Sequence, residues 1–217
     1  MRWCFLGRVP YAKALELQLA LREAIASGRG EDTLLLLEHS PVITLGRAAN
    51  EQNVIVDDAT LARLGVERHE IGRGGDVTYH GPGQLVGYPV RYVGRAIREH
   101  VRVLSDELVA YVGELGIECW WRDDVPGVWT ALGKIAAVGI DARRRVAMHG
   151  FALNLAPDLA HFDLIVPCGL QDAAVTSVAA IRGEAPTVEH AARALARRLA
   201  AAYGTQAREV SRAELSP

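Results

Sequence analysis

Segments with helical periodicity and segments with strand character come in groups along this chain, not in alternation, and that ordering restricts the fold more than any other property of the sequence. Residues 11–27 place Ala14, Leu17, Leu21, Ala24 and Ile25 on one helical face and meet a stop signal at Gly28. Residues 96–115 repeat the pattern with Ile97, Val101, Leu104, Leu108, Val112 and Leu115 before Gly116. Residues 187–203 close the chain as an Ala-, Leu- and Arg-rich helix, with Thr187 as N-cap and Gly204 as stop. Strands are expected at 33–38 and 42–45, around Ser40-Pro41, then a short helix at 58–64 and a strand at 66–71. Four more apolar, β-branched or aromatic runs, at 117–121, 127–130, 135–140 and 146–155, are separated by turn-like or charged segments, as in antiparallel hairpins. Helix, strands, helix, strands, helix is not the regular βαβ order of a parallel sheet. The expected class is α+β, with a mixed, largely antiparallel sheet flanked by helices.

Neither a repeat nor a long polar linker interrupts this order, and 217 residues at 50% hydrophobic and 23% charged suit one domain spanning 1–217. The longest stretch without Asp, Glu, Lys or Arg, residues 77–90, contains Pro82 and Pro89 and is too short to cross a bilayer. Arg2 and Arg8 enclose no signal-peptide core, so a cytoplasmic location is expected, with no membrane association. A formal charge of −2 lacks the footprint of a general nucleic-acid binder.

Among 24 basic residues only Lys13 and Lys134 are lysines. Arginine keeps its proton in a protein, whereas a buried lysine can exchange one during a reaction, so Lys134 stands out on chemistry alone. The stretch from Gly127 to Ile135 fails as a phosphate-binding loop: five residues separate Gly127 from Gly133, and Ile135 stands where magnesium needs a hydroxyl. A surface lysine beginning a strand is the alternative. Six of the seventeen residues from Gly72 to Tyr88 are glycine, which lets backbone approach a ligand closely. This segment is not a dinucleotide fingerprint, because the last glycine of that pattern is missing and no helix opens there. It reads either as a hairpin turning at Gly81-Pro82-Gly83 or as a binding loop, and Arg73, Thr78, Tyr79, His80 and Gln84 tilt it toward binding.

Cys4, Cys119 and Cys168 form no C-x-x-C pair and are odd in number, which argues against a disulfide framework and a zinc ribbon. Cys168 follows the apolar run Leu164-Ile165-Val166 and precedes Gly169, a place where a thiol meets a substrate beside a backbone N–H. A small buried hydrophobe is the other reading, and a metal site with His149 and His161 matches no common spacing. Arg143-Arg144-Arg145 is either a solvated hairpin turn or a docking patch for an acidic partner.

Several of these segments occur together in one known order. They are Glu38-His39-Ser40-Pro41 through Gly46-Arg47, then Arg73-Gly74-Gly75-Asp76-Val77-Thr78-Tyr79-His80-Gly81-Pro82-Gly83-Gln84 through Pro89, and Gly127-Val128-Trp129. Gly133-Lys134-Ile135-Ala136, His149-Gly150-Phe151-Ala152-Leu153-Asn154, Pro167-Cys168-Gly169 and Val175-Thr176-Ser177 complete the set. In this the chain resembles the octanoyl transferases of lipoic acid synthesis; it departs at Asp141, where a basic residue is common, and at Ala147, where a hydroxyl residue is. The resemblance implies a fold like the catalytic domain of biotin and lipoate protein ligases. It implies an acyltransferase that moves an octanoyl group from the phosphopantetheine thioester of acyl carrier protein to a lysine of a lipoyl domain, in 2-oxo acid dehydrogenase complexes or the glycine cleavage carrier. The resemblance places the nucleophile on Cys168 and its activating partner on Lys134. It implies substrate contacts at Arg73, Gly74, Gly75, Asp76, Val77, Thr78, Tyr79 and His80, at Ala137, Val138 and Gly139, and at Gly150, Phe151 and Ala152. Tyr79 and His80 are expected to wall the acyl chain and orient the thioester. No ATP and no metal are implied, because a thioester is already more reactive than the amide it becomes. An ATP-dependent ligase of the same fold and a non-enzymatic module binding an acylated carrier are the rival readings.

Overall fold

The computed structural model describes residues 1–166 and 174–215. Eight strands form a large sheet in the order β11-β1-β2-β6-β10-β9-β8-β7. They are β1 (Arg2–Val9), β2 (Thr33–His39), β6 (Gln84–Tyr92), β7 (Trp120–Arg122), β8 (Gly127–Thr130), β9 (Gly133–Arg143), β10 (Val146–Asn154) and β11 (Arg208–Glu209). A three-stranded sheet has the order β4-β3-β5, from β3 (Val42–Leu45), β4 (Glu67–Glu70) and β5 (Val77–His80). The β11–β1, β1–β2 and β3–β4 pairs are parallel and the others antiparallel, so both sheets are of the expected mixed kind.

The four leucines of β2 explain the layering. Leu34 and Leu36 enter one core cluster with Leu104, Leu108, Leu195 and Leu199, from helices α3 (Ile97–Glu114) and α5 (Val188–Ala202). Leu35 and Leu37 enter a second cluster with Ala14, Leu21 and Ile25 of helix α1 (Tyr11–Ala26). Successive strand residues face opposite sides, so an uninterrupted apolar run belongs to a strand covered on both faces. The small sheet has its own core of Ile43, Leu45, Val77 and Tyr79, closed by Leu61 of α2 (Asp58–Leu64) and by Phe162. A last short helix, α4 (Val178–Arg182), is capped by Ser177, whose hydroxyl accepts from the Ala180 N–H.

Two outer strands escaped the sequence reading. Residues 2–9 do not alternate cleanly, and Gly7, with φ +66°, breaks their register against β2 between Phe5 and Arg8. β11 pairs through two residues only. The run expected as a strand at 117–121 is one only from Trp120 onward. Gly116 turns left-handed after α3, and Ile117 donates its N–H back to the Val112 carbonyl and enters the core. Apolar burial, not pairing, accounts for that run.

The segment around Gly81-Pro82-Gly83 is not a hairpin. β5 pairs with β3 in the small sheet while β6 pairs with β2 and β10 in the large one. The chain crosses between sheets at this turn, and the turn is pinned. Gly83 donates its N–H to Glu38 Oε1 at 2.9 Å, and its carbonyl accepts from Leu155 and Ala156. Its φ of +82° suits glycine, and a Cβ there would lie 2.2 Å from the Ala156 carbonyl oxygen.

β10 carries a second irregularity. Its pairing with β6 lapses between Ala147↔Arg91 and Phe151↔Gly87, although its pairing with β9 runs on. Pro89 lies in the gap and has no N–H to offer a ladder. His149 is left-handed there (φ +59°), and its N–H turns to Gln18 Oε1 of α1 at 2.9 Å. The backbones close up tightly beside this kink: a Cβ on Gly150 would meet the Gly87 carbonyl oxygen at 2.3 Å and Pro89 Cδ at 2.6 Å. Gly150→Ala is therefore expected to cost about 2–3 kcal/mol, since backbone cannot yield as a side chain does. Urea unfolding should place its midpoint lower at an unchanged m-value, and an unshifted midpoint would contradict the packing argument.

Candidate active site

A cleft of about 360 Å³ opens beside the two sheets, at the lower end of the size range of small-molecule sites. β9 contributes Ala136, Ala137, Val138, Gly139 and Ile140 to its wall, and β10 contributes His149, Gly150, Phe151, Ala152 and Asn154. The glycine-rich segment supplies Arg73, Gly74, Gly75, Asp76, Val77, Thr78 and His80. Thirteen of the fourteen residues expected to contact substrate thus line one cavity, together with Lys134. Tyr79 is the exception. Its ring packs against Phe162 at 5.3 Å between centroids and its hydroxyl bonds His161 Nδ1 at 2.8 Å, so it belongs to the small-sheet core and does not wall the cleft. Cys168, expected as the nucleophile, falls in residues 167–173 and lies outside the described residues.

Glycine composition in the binding loop has a steric cause. Residues 73–76 run between the chain at 46–48 and the end of β9. Gly46, Arg47 and Ala48 donate their N–H groups to the carbonyls of Asp76, Arg73 and Gly75, and Gly74 donates to the Ile140 carbonyl at 3.0 Å. A Cβ on Gly46 would stand 2.2 Å from the Gly75 oxygen. Arg73 itself is buried, with Nη2 donating to the Thr44 carbonyl at 2.8 Å and to Thr44 Oγ1 at 3.0 Å. Asp76 accepts from the Asn50 N–H and from Asn53 Nδ2. Outside the loop, Asp141 is buried and receives Arg47 at 2.8 Å, Arg143 at 3.0 Å and Arg22 at 3.5 Å, tying α1, the 46–48 segment and β9 together. The departure at Asp141 is therefore an ion-pair centre. Arg144 and Arg145 make the two-residue turn between β9 and β10, both left-handed (φ +51° and +67°), as the favoured hairpin geometry requires. Arg144 pairs with Glu23.

Lys134 is only 9% exposed. Its backbone is laced to the segment after the undescribed residues: Lys134 N–H donates to the Ala174 carbonyl at 2.9 Å, and Thr176 N–H donates to the Lys134 carbonyl at 3.0 Å. Nζ lies 5.6 Å from the centre of the Trp129 ring, within cation–π range. Gly127 leaves room for the lysine chain, because a Cβ there would stand 2.3 Å from Lys134 Cε. The Gly127-Val128-Trp129 run thus acquires a reason: space at one position and a cation-binding face at the other.

Three histidines surround the cleft and its floor, and burial keeps each neutral. Desolvation lowers His39 and His149 to about 4 and His80 to about 3, with Arg73 adding to the effect on His149 and the His39 ring to that on His80. His39 donates from Nδ1 to the Val9 carbonyl and accepts the Tyr88 hydroxyl proton at Nε2. Gln84, one of the side chains that tilted the segment toward binding, also lines the cleft, as do Tyr11, Tyr88 and Asn154, to which sequence reasoning gave no contact role. Tyr88 and Asn154 sat inside the quoted motifs, so a signal existed; Tyr11 stood at the head of an expected helix, where nothing distinguishes it.

These features accompany a clear kinship. Residues 10–200 match the family model described as the lipoyl protein ligase A/B catalytic domain. An octanoyltransferase from Acidobacterium capsulatum is 46% identical over 93% of this chain and 89% of its own length. One from Alkaliphilus metalliredigens is 47% identical over 82% and 84%. Among solved structures, the bipartite lipoate protein ligase of an archaeal lipoylation system from Thermoplasma acidophilum superposes with a TM-score of 0.77 at 18% identity, covering 99% of this chain and 88% of that one. The chain belongs to the lipoyl protein ligase A/B catalytic domain family. No helix among the described residues is long and apolar enough to cross a membrane.

Acid should destabilise this protein in a defined window. Each buried histidine has a folded value near 3 or 4 and an unfolded value of about 6.5, so the unfolded chain binds more protons between them. Stability is complete above the unfolded value and falls as pH drops toward the folded one, by about 1.4 kcal/mol per pH unit per histidine. Urea midpoints measured across that range should slope downward toward acid, and a flat profile would mean that the histidines are protonated in the native state.

Proposed function

We propose that this protein transfers an octanoyl group from the phosphopantetheine thioester of acyl carrier protein to a lysine of a lipoyl domain, by way of an acyl-enzyme on Cys168. Octanoyl transfer is the activity of relatives that match this chain at 46–47% identity over most of its length. The donor, the covalent intermediate and the residue roles are inferences from chemistry. The observation that carries them is Lys134, one of only two lysines, buried in the wall of a predominantly apolar cleft.

A thiol with a pKa near 8.5 is only a few per cent thiolate at neutral pH. An ammonium about 4 Å away at an effective dielectric of about 20 favours the anion by roughly 4 kcal/mol before desolvation, and even half of that makes thiolate abundant. The thiolate attacks the thioester carbon, the carbon–sulfur bond to pantetheine breaks, and Lys134 protonates the departing thiolate. The Gly75 backbone N–H and N–H groups beside Cys168 are the donors assigned to the tetrahedral oxyanion, the Gly74 N–H being held by the Ile140 carbonyl. Lys134, now neutral, takes the proton from the incoming lysine amine as that amine attacks the acyl-enzyme, which restores the ammonium and frees Cys168. The thioester supplies the driving force, so the scheme needs neither ATP nor metal. Val138, Phe151 and Ala152 give the acyl chain an apolar wall, and the carrier and lipoyl domains are the protein partners.

Intact mass after incubation with octanoyl-carrier tests the scheme. Wild type should gain one octanoyl group and Cys168→Ser should not, while Cys4→Ser and Cys119→Ser should behave as wild type. Lys134→Arg keeps the charge but cannot shuttle a proton, so its transfer rate should fall roughly a hundredfold or more. An active Cys168→Ala variant, or a requirement for ATP, would defeat the reading.

A further inference from the structure

One chain of hydrogen bonds in the cleft wall has a fixed polarity. Thr176 and Tyr79 present backbone carbonyls, which only accept. Asn154 Nδ2 donates to the Thr176 carbonyl at 3.0 Å, so Asn154 Oδ1 faces the other way and accepts from Gln84 Nε2 at 2.8 Å. The same Gln84 Nε2 also donates to the Tyr79 carbonyl at 3.4 Å, which orients that amide independently of Asn154. Gln84 Oε1 is then the atom left facing His80, 2.6 Å from its Nδ1. A carbonyl oxygen cannot donate, so His80 carries its proton on Nδ1 and Nε2 holds a lone pair. His80, Gln84 and Asn154 all line the cleft, and all three are at most 8% exposed. Thr176 is also the residue whose N–H bonds the Lys134 carbonyl, so the relay and the lysine share one anchor.

We propose that Gln84 and Asn154 are positioning residues that lock His80 in the Nδ1-protonated tautomer, so that its Nε2 accepts a hydrogen bond from a substrate N–H group during acyl transfer. The relay begins at two backbone carbonyls whose places are set by the fold, and it ends on the ring of His80, a cleft-lining group. It therefore converts fold geometry into the hydrogen-bonding character of the cleft. Deep burial agrees with it, because a ring whose pKa is lowered to about 3 holds no second proton at neutral pH and is an acceptor there, not a general acid. Two N–H donors reach the reacting centre under the proposed function, on which this inference rests: the amine of the acceptor lysine and the amide of the pantetheine arm. The same lone pair suits either donor, and the two half-reactions tell which of them it takes.

The first test uses the wild-type chain labelled with ¹⁵N-histidine. NMR should identify His80 as the neutral, Nδ1-protonated tautomer at neutral pH, and finding the Nε2-protonated form or an imidazolium overturns the proposal. The second compares Gln84→Met with Gln84→Glu in acyl-enzyme formation from octanoyl-pantetheine and in transfer from preformed acyl-enzyme to a lipoyl domain. Gln84→Met should slow one half-reaction by roughly three- to tenfold at every pH, the loss expected for one hydrogen bond. Gln84→Glu still accepts from Nδ1–H but gives up the donor to Asn154 Oδ1 and the Tyr79 carbonyl, so at alkaline pH it should recover part of that rate. It should fall away toward acid, because the carboxylate raises the His80 pKa and an imidazolium cannot accept. A purely structural role would not produce this pH split. Slower transfer assigns the bond to the lysine amine, and slower acyl-enzyme formation assigns it to the pantetheine amide. Rates and pH profiles unchanged from wild type in both half-reactions overturn the relay. Absence of an acyl-enzyme in wild type would instead overturn the thioester intermediate, leaving the NMR tautomer and the pH split of overall transfer to decide the relay.

Discussion

The cleft depends on the turn at Gly81-Pro82-Gly83, where one continuous polypeptide leaves the three-stranded sheet and enters the eight-stranded one. Had β5 and β6 paired as an ordinary hairpin, the glycine-rich loop before β5 would lie along the edge of a single sheet and enclose nothing. Instead Gly83 is held by Glu38 from β2 and by the backbone just after β10, so its position is set by two different strands. Three contacts converge on one residue that must be glycine both for its φ and for its approach to Ala156. The separation of the sheets, the path of residues 73–76 and the placement of His80 and Gln84 on either side of the turn all follow from it.

A second constraint works at β10. Pro89 withdraws a donor from the central strand, β10 lifts from β6 beside it, and the left-handed His149 brings its ring to the cleft while its N–H finds Gln18. A non-glycine residue with positive φ inside a strand costs free energy, and such strain persists only where surrounding structure enforces it. Here the tight approach of Gly150 to Gly87 and the hydrogen bond to α1 supply the enforcement. The sheet is interrupted at the point where the cavity needs a side chain from it.

Much of this was legible in sequence, for identifiable reasons. Period and stop signals located α1, α3 and α5 to within a residue or so, and β-branched runs located β3 and β8 without error, because their patterning is local. β1 was not legible, since its membership comes from pairing with β2 and not from its own alternation. The placement of Tyr79 away from the cleft was equally hidden. Its neighbours Thr78 and His80 line the cavity, and strand alternation turns Tyr79 toward Phe162, but only the small sheet, itself unforeseen, says which side is which. Asp141 illustrates the same limit. Its partners Arg22 and Arg47 are distant in sequence, so its role as an ion-pair centre belongs to the tertiary structure.

The electrostatics of the cleft wall bear on which group could move a proton under the proposed function. Arg73 keeps its proton under all working conditions, and Asp76 is engaged by the Asn50 N–H and the Asn53 amide as an acceptor. Tyr11 and Tyr88 are pushed up by burial, so neither ionises near neutrality, and His80 and His149 are pushed down and remain uncharged. Burial thus removes from neutral-pH titration the histidines and tyrosines that would otherwise compete for the role. Among the described residues lining the cleft, that leaves the amine of Lys134 as the group to which the proposed function gives the proton, while Arg73 ties its loop to Thr44. A chain that supplies its positive charge almost wholly as arginine separates, under the proposed function, two duties by residue type: permanent charge for architecture, and a single buried lysine for the proton that acyl transfer would move.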